Sequence, residues 1–148
     1  MTTLELLQKS LLFKGSSKDE LEIALGLLQE HRVKPNTTIF SEGMAAEALY
    51  LIKSGNVSVS MKRTNGEEMP LFQLGPGEFF GELALLQQEK RMVTAKTDTP
   101  AEIVVMTRKD FHGLIDLEPR TGARVLMAVA KLLVMRIAAY GHRFKELL

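Results

Sequence analysis

Two periodicities divide the chain. Leu4, Leu7 and Leu11 recur at helical spacing, and Ser17 with Glu20 three residues on forms a capping box opening a second helix. Leu21, Ala24, Leu25 and Leu28 are its expected buried face. From Val33 to Arg108 the period changes to two, in short apolar runs cut by Pro35-Asn36, Gly43, Gly55, Asn65-Gly66 and Gly75-Pro76-Gly77. Val57, Val59 and Met61 alternate with Ser58, Ser60 and Lys62, which predicts a strand with one dry face. Asn65-Gly66 is the preferred pair for a two-residue hairpin turn, and Pro70, lacking a ladder donor, belongs on an edge or at a bulge. Ala101 to Met106 supplies the last strand. Thr107 then caps a short helix carrying Phe111, Leu114 and Ile115, and Pro119 suits the start of a long one.

The fold class that follows is mainly β with flanking helices: an antiparallel β-barrel or jelly roll, with N-terminal helices and a long C-terminal helix. We read one domain, 1–148, made of a helical lead-in (1–30), a β-roll (31–108) and C-terminal helices (109–148). The final helix, about Arg120 to Leu147, is apolar over more than half its circumference. Leu126, Leu133, Ile137, Tyr140 and Phe144 form one stripe, and Val125, Ala128, Leu132, Met135 and Ala139 form another. So wide an arc must bury two sides, one on the barrel and one on a second subunit, which predicts a homodimer through this helix. Lys131 and Arg136 fall inside the segment and, at roughly 2.5 to 3.5 kcal/mol each near a bilayer centre, argue against a membrane span.

Composition narrows the classes of function. A chain of 148 residues with 45% hydrophobic content fits one domain with a real core. Its net charge of +1 creates no general field for nucleic acid. With no cysteine there is no disulfide framework or thiolate, and Glu5, Gln8 and Lys9 interrupt any signal-like start, so a cytoplasmic location is expected. His31, His112 and His142 are scattered and lack further ligands at metal spacing, so no metal is expected. Nucleophile-elbow and Walker motifs are missing, and the chain reads as a binder with no cofactor and no enzymatic activity.

The candidate chemistry lies in Phe79 to Thr94, FFGELALLQQEKRMVT. Gly75-Pro76-Gly77 makes a tight turn before it, and Gly81 leaves no side chain between backbone and ligand. A short helix, about Glu82 to Leu86, has free N–H groups at its start that can accept an anion. Arg91, ten positions after Gly81, can return to the same point with a planar donor fork. Glu82 is misplaced beside a lone phosphate, but a carboxylate there can bind the hydroxyl of an adjoining ribose. The implied ligand is a phosphate fused closely to a sugar. Arg136 falls within the apolar arc of the last helix, with no acid three or four residues away. Its guanidinium must snorkel to water, pair with a carboxylate elsewhere, pair across a dimer, or meet the bound ligand.

F-G-E-L-A-L followed by Arg91 resembles the phosphate-binding cassette of cyclic nucleotide-binding domains, the module of the catabolite activator (Crp/Fnr) regulators, of the regulatory subunits of cyclic AMP-dependent kinase and of cyclic nucleotide-gated channels. Ile39-Phe40-Ser41-Glu42-Gly43 and Ala48 to Gly55 are similar to the glycine-punctuated strands the family places upstream, and the resemblance spans about 11–140. It implies a jelly roll, cyclic AMP or cyclic GMP as ligand, and phosphate and ribose contacts from Gly81, Glu82, Leu83, Arg91, Met92 and Val93. It also brings Arg136 and Ile137 to where relatives lid the purine, with Leu71 and Phe72 as the opposite wall. Met92 and Val93 stand where the family usually has two small residues, and Lys90 where many relatives have proline. A regulatory sensor passing the bound state to its last helix and an unknown downstream protein is the reading this implies. The alternatives are a ligand-free dimerisation module with a degenerate cassette, or the effector fragment of a longer transcription regulator. The chain carries no helix-turn-helix after its last helix, so direct nucleic-acid binding and membrane attachment are not expected, and its start at Met1 favours a complete chain.

Overall fold

A computed structural model of the protein describes residues 1–139; Tyr140, His142, Phe144 and Leu147, all weighed above, lie outside the described residues. Two capped helices come first, α1 (Thr3–Lys9) and α2 (Lys18–Leu25), each closed by a reciprocal capping box, Thr2 with Glu5 and Ser17 with Glu20. Eight strands follow: β1 (Gln29–Val33), β2 (Thr38–Phe40), β3 (Ala48–Ser54), β4 (Val57–Lys62), β5 (Glu68–Leu74), β6 (Phe79–Phe80), β7 (Thr94–Thr97) and β8 (Ala101–Thr107). One turn of helix, α3 (Leu83–Leu86), separates β6 from β7, and α4 (Arg108–Leu117) and α5 (Pro119–Ala139) close the described chain. The strands pair antiparallel in two sheets of four, β1-β8-β3-β6 and β2-β7-β4-β5, which is the jelly roll read from the sequence.

The two sheets face each other over an interior of Phe40, Ile52, Val57, Val59, Leu74, Phe80, Ala95 and Ile103. The outer face of the first sheet carries Leu49, Leu51, Phe79, Val104 and Met106, and the helices cover it with Leu7, Phe13, Leu21, Phe111, Leu114, Val125 and Val129. Strands β3 and β8 are therefore dry on both sides, and their sequences read as continuous apolar runs where β4 alternates. Phe79 and Phe80, adjacent in β6, point to opposite faces and enter different cores.

Several sequence expectations need correction. Leu11 is 66% exposed, because α1 stops at Lys9 and, after Ser10, Leu11–Phe13 form a 3-10 turn that buries Leu12 and Phe13 instead. Leu28 lies beyond α2 and packs on the core from the following turn. The β-roll starts at Gln29, earlier than the change of period at Val33, because β1 is an almost wholly exposed edge strand paired only with β8. Asn65-Gly66 does not form a two-residue turn: Gly66 N–H returns to Arg63 O at 2.9 Å and Arg63 N–H to Glu67 O at 2.7 Å, and within the loop only Gly66 has positive φ, at 86°. Pro70 sits on edge strand β5 where the register with β4 shifts, as a missing donor requires.

The two stripes assigned to the last helix are also redrawn. Thr121, Gly122, Val125 and Val129 are buried, and Ala128, Leu132 and Leu133 pack against the same core, so Leu132 faces inward. Gly122 permits this approach, since a Cβ there would lie 2.7 Å from Cγ1 of Ile115 on α4. Met127, Ala130, Val134 and Ile137 are exposed at spacings of three, four and three, and so form a separate seam.

The start of α2 is bolted to α5. Arg124 Nη1 donates to Glu20 Oε2 at 3.0 Å, and Thr121 Oγ1 donates to the same oxygen at 3.0 Å. The Ser17 backbone N–H, the Thr121 hydroxyl, the Ser17 hydroxyl and Arg124 together hold the Glu20 carboxyl down at about 2. A depressed carboxylate contributes stability that is complete above the unfolded-state value and fades as pH falls toward the folded-state one. We expect the thermal midpoint to drop between about pH 4.5 and pH 2, and Glu20→Gln to flatten that decline; equal slopes for both proteins would refute it. Leu132→Glu should cost about 1 to 3 kcal/mol in denaturant unfolding by forcing a charge against the core.

Candidate functional site

Between β6 and α3 the chain turns through Gly81 with φ of 75°, a left-handed conformation that favours glycine. Space imposes the same choice. A Cβ at Gly81 would lie 2.9 Å from Arg91 Nη1, 3.1 Å from Ala48 O and 3.2 Å from Tyr50 Cδ2. Ala84 N–H donates to Gly81 O and Leu85 N–H to Glu82 O, which winds the single turn of α3. A turn this short has little dipole, so charge recognition at the site falls to side chains.

Arg91 is 7% exposed and lies under this turn. Its Nη1 donates to Gly81 O at 3.1 Å and its Nη2 to Ala48 O at 2.7 Å, while its Nε is buried with no hydrogen-bond partner. The guanidinium rests 4.0 Å above the Phe40 ring and 5.7 Å from that of Tyr50, and these two rings with Phe80 form an aromatic floor in which Tyr50 and Phe80 stack at 5.2 Å. Burial pulls the Arg91 guanidinium below its ordinary value, opposed by Tyr50, Glu82 and Glu47. The backbone beside it is fixed too: Arg91 N–H donates to Met44 O at 2.7 Å, and Gly43 N–H donates to Arg91 O at 2.9 Å.

Glu82 is 4% exposed, an unusual position for a carboxylate. Its Oε1 accepts from Arg136 Nη1, and its Oε2 is buried without a partner. Arg136 reaches in from α5, with Nη2 3.5 Å from Phe79 O and its guanidinium 4.6 Å over the Phe72 ring. Of the routes open to Arg136, the described structure takes the carboxylate elsewhere in the chain, and that carboxylate is Glu82.

The structure thus brings Gly81, Glu82, Arg91, Phe72 and Arg136 into one neighbourhood. Leu83 begins α3, part-exposed. Val93 packs on the interior cluster, whereas Met92 is 64% exposed. Leu71 and Phe72 border an open groove of about 440 Å³ with Ser58, Ser60 and Gln73. Ile137 does not join the group and is 61% exposed. Sequence reasoning missed Phe40 and Tyr50 as the floor under Arg91, although each is an aromatic inside one of the glycine-punctuated strand segments upstream of the cassette. It also missed Arg108, whose Nη1 donates to Ala84 O, Ala46 O and Gln87 O at 3.2 to 3.4 Å. Among the described residues no three His, Cys, Asp or Glu side chains gather into a metal-binding group, and no helix is long and apolar enough to cross a membrane.

Comparison with known proteins identifies the family and the fold. The family model for the cyclic nucleotide-binding domain matches residues 30–118. The cyclic AMP receptor protein of Thermus thermophilus is 32% identical over 120 residues, covering 81% of this chain and 56% of that protein. The crystal structure of the Thermus thermophilus catabolite activator protein superposes with a TM-score of 0.83 at 33% identity, over 93% of this chain and 63% of that one. The regulatory domain of Toxoplasma gondii PKA, solved with cAMP, superposes at 0.68 and 30% identity over 75% of this chain and 42% of its own. The chain spans a little over half the length of the curated relatives it matches. With its roll, its F-G-E-L cassette and its Arg91 in the matched segment, the chain belongs to the cyclic nucleotide-binding domain family, in its Crp branch.

Proposed function

We propose that this domain binds cyclic AMP at the cassette and passes the bound state to α5. The observation that carries the reading is the pair of buried, unpartnered polar atoms at one loop, Glu82 Oε2 and Arg91 Nε. Buried polar atoms are ordinarily satisfied, and here one can only accept and the other only donate. A ribose hydroxyl donating to Glu82 and a cyclic phosphate accepting from Arg91 would complete both, with the Gly81 to Leu83 backbone and the amides of Met92 and Val93 close to the phosphate. The names of the relatives support cyclic AMP over cyclic GMP. The base is proposed to enter beside Arg136 and Phe72, which lie against each other, with Leu71 and Ile137 as proposed wall and lid. Since Arg136 already holds Oε1, occupation of Oε2 would be felt directly by α5.

In this reading the protein is a cytoplasmic binder, without cofactor or metal and without an enzymatic step. It acts as a homodimer through the exposed seam of α5 and on a downstream protein, with no direct contact to nucleic acid or membrane from the chain itself. A second reading, a dimerisation module that takes no ligand, is favoured by Met92 and Val93 in place of small residues and by the two carbonyls that already engage Arg91.

Calorimetric titration with cyclic AMP and cyclic GMP separates the two readings. Arg91→Ala should weaken binding by roughly 1.5 to 3 kcal/mol, about 10- to 150-fold, as expected for a charge-assisted contact to phosphate. Glu82→Gln should lose less, and 2′-deoxy cyclic AMP should bind wild type weakly while discriminating little in the variant. Equal affinity of wild type and Arg91→Ala would sink the cassette reading. For the dimer, light scattering should give twice the 16.5 kDa chain mass at micromolar concentration, and Val134→Glu in the exposed seam should halve it with unchanged circular dichroism.

A further inference from the structure

The turn that presents the ligand site is held at its far end by an arginine that takes no part in the site. α3 is one turn long, and the last carbonyls of a helix lack partners within it. Gln87 N–H satisfies Leu83 O, and Arg108 Nη1 supplies Ala84 O at 3.2 Å and Gln87 O at 3.4 Å. The same nitrogen reaches Ala46 O at 3.3 Å, and the Arg108 backbone N–H donates to Glu47 O at 2.9 Å. Arg91 makes the matching bridge at the front of the turn, from Gly81 O to Ala48 O. Two arginines therefore staple the turn 81–87 to one short segment, 46–48.

Their fates differ when ligand arrives. A guanidinium drawn toward a phosphate at its free Nε shifts away from the carbonyls that its two Nη atoms engage, so the front staple weakens as the site fills. Arg108 faces only carbonyls and keeps its contacts. We propose that Arg108 is a positioning residue for nucleotide binding, a rear clamp that keeps the cassette turn in its binding geometry while Arg91 exchanges backbone for phosphate. The inference rests on the cyclic nucleotide reading above. Holding the turn in advance removes an ordering cost that would otherwise be subtracted from affinity. Because one nitrogen makes all three side-chain contacts, an ammonium with three donors can stand in for it.

The test pairs two measurements on the whole chain. In ligand-free protein, hydrogen exchange of amides in 83–91 and 44–48 should quicken about ten-fold in Arg108→Met, with the sheet and α1 unchanged. Calorimetry with cyclic AMP should show affinity falling about ten-fold in Arg108→Met, with most of the loss recovered in Arg108→Lys. Unchanged local exchange overturns the clamp, and so does exchange that quickens throughout the domain. Faster local exchange with unaltered affinity overturns the positioning role. If wild type binds neither cyclic nucleotide while Arg108→Met still exchanges faster locally, the binding reading fails and the clamp stands. Should Arg108→Met not fold, Arg108→Gln, which keeps an amide donor, is read by the same two measurements.

Discussion

The first sheet must be dry on both faces where β8, β3 and β6 run, and the arrangement of the site follows from that constraint. Its inner face closes on the second sheet and its outer face on the helices. Strand β6 can join it with only two residues because Phe79 and Phe80 each fill one of the two cores. Their burial fixes where the chain leaves the sheet, so Gly81 and Glu82 emerge at the rim between the layers, within reach of Arg91 from one side and α5 from the other. Burial of each such side chain is worth about 1.5 to 3 kcal/mol, enough to hold a two-residue strand that could not persist alone.

Charge at this rim is arranged in alternation. Arg91 lies against aromatic faces and carbonyl oxygens, Glu82 is paired with Arg136, and Arg136 in turn lies over Phe72. Each cation has a diffuse negative partner, and the buried carboxylate of Glu82 has a cation, which is the condition for leaving charges in so dry a place.

How far the sequence disclosed this depended on whether side chains or backbone did the work. The roll was legible because β4 alternates and the glycine and proline interruptions fall between strands, and Thr107 and Ser17 announced helix starts through their own side chains. Strand β1 was not, because an exposed edge strand held by its ladder to β8 shows no hydrophobic pattern. The stripes of α5 were drawn too broadly, since a helix with apolar residues on most sides does not say which of them meets the core; Gly122 against Ile115 does. Gly81, Glu82 and Arg91 were found as a motif. The pairing of Arg136 with Glu82 was only half visible, as an arginine with no acid near it in the helix. Arg108 left no trace, because its side chain engages carbonyls that every residue possesses.

Pro70 and the register shift beside it affect more than the local pairing. An open sheet edge is a template on which further copies can add without limit, each addition exposing the next edge. On β5 the ladder is broken where the missing donor and the bulge fall together, so that rim offers a poor start for strand addition. The interrupted edge of β5 thus blocks open-ended strand addition along that rim of the second sheet.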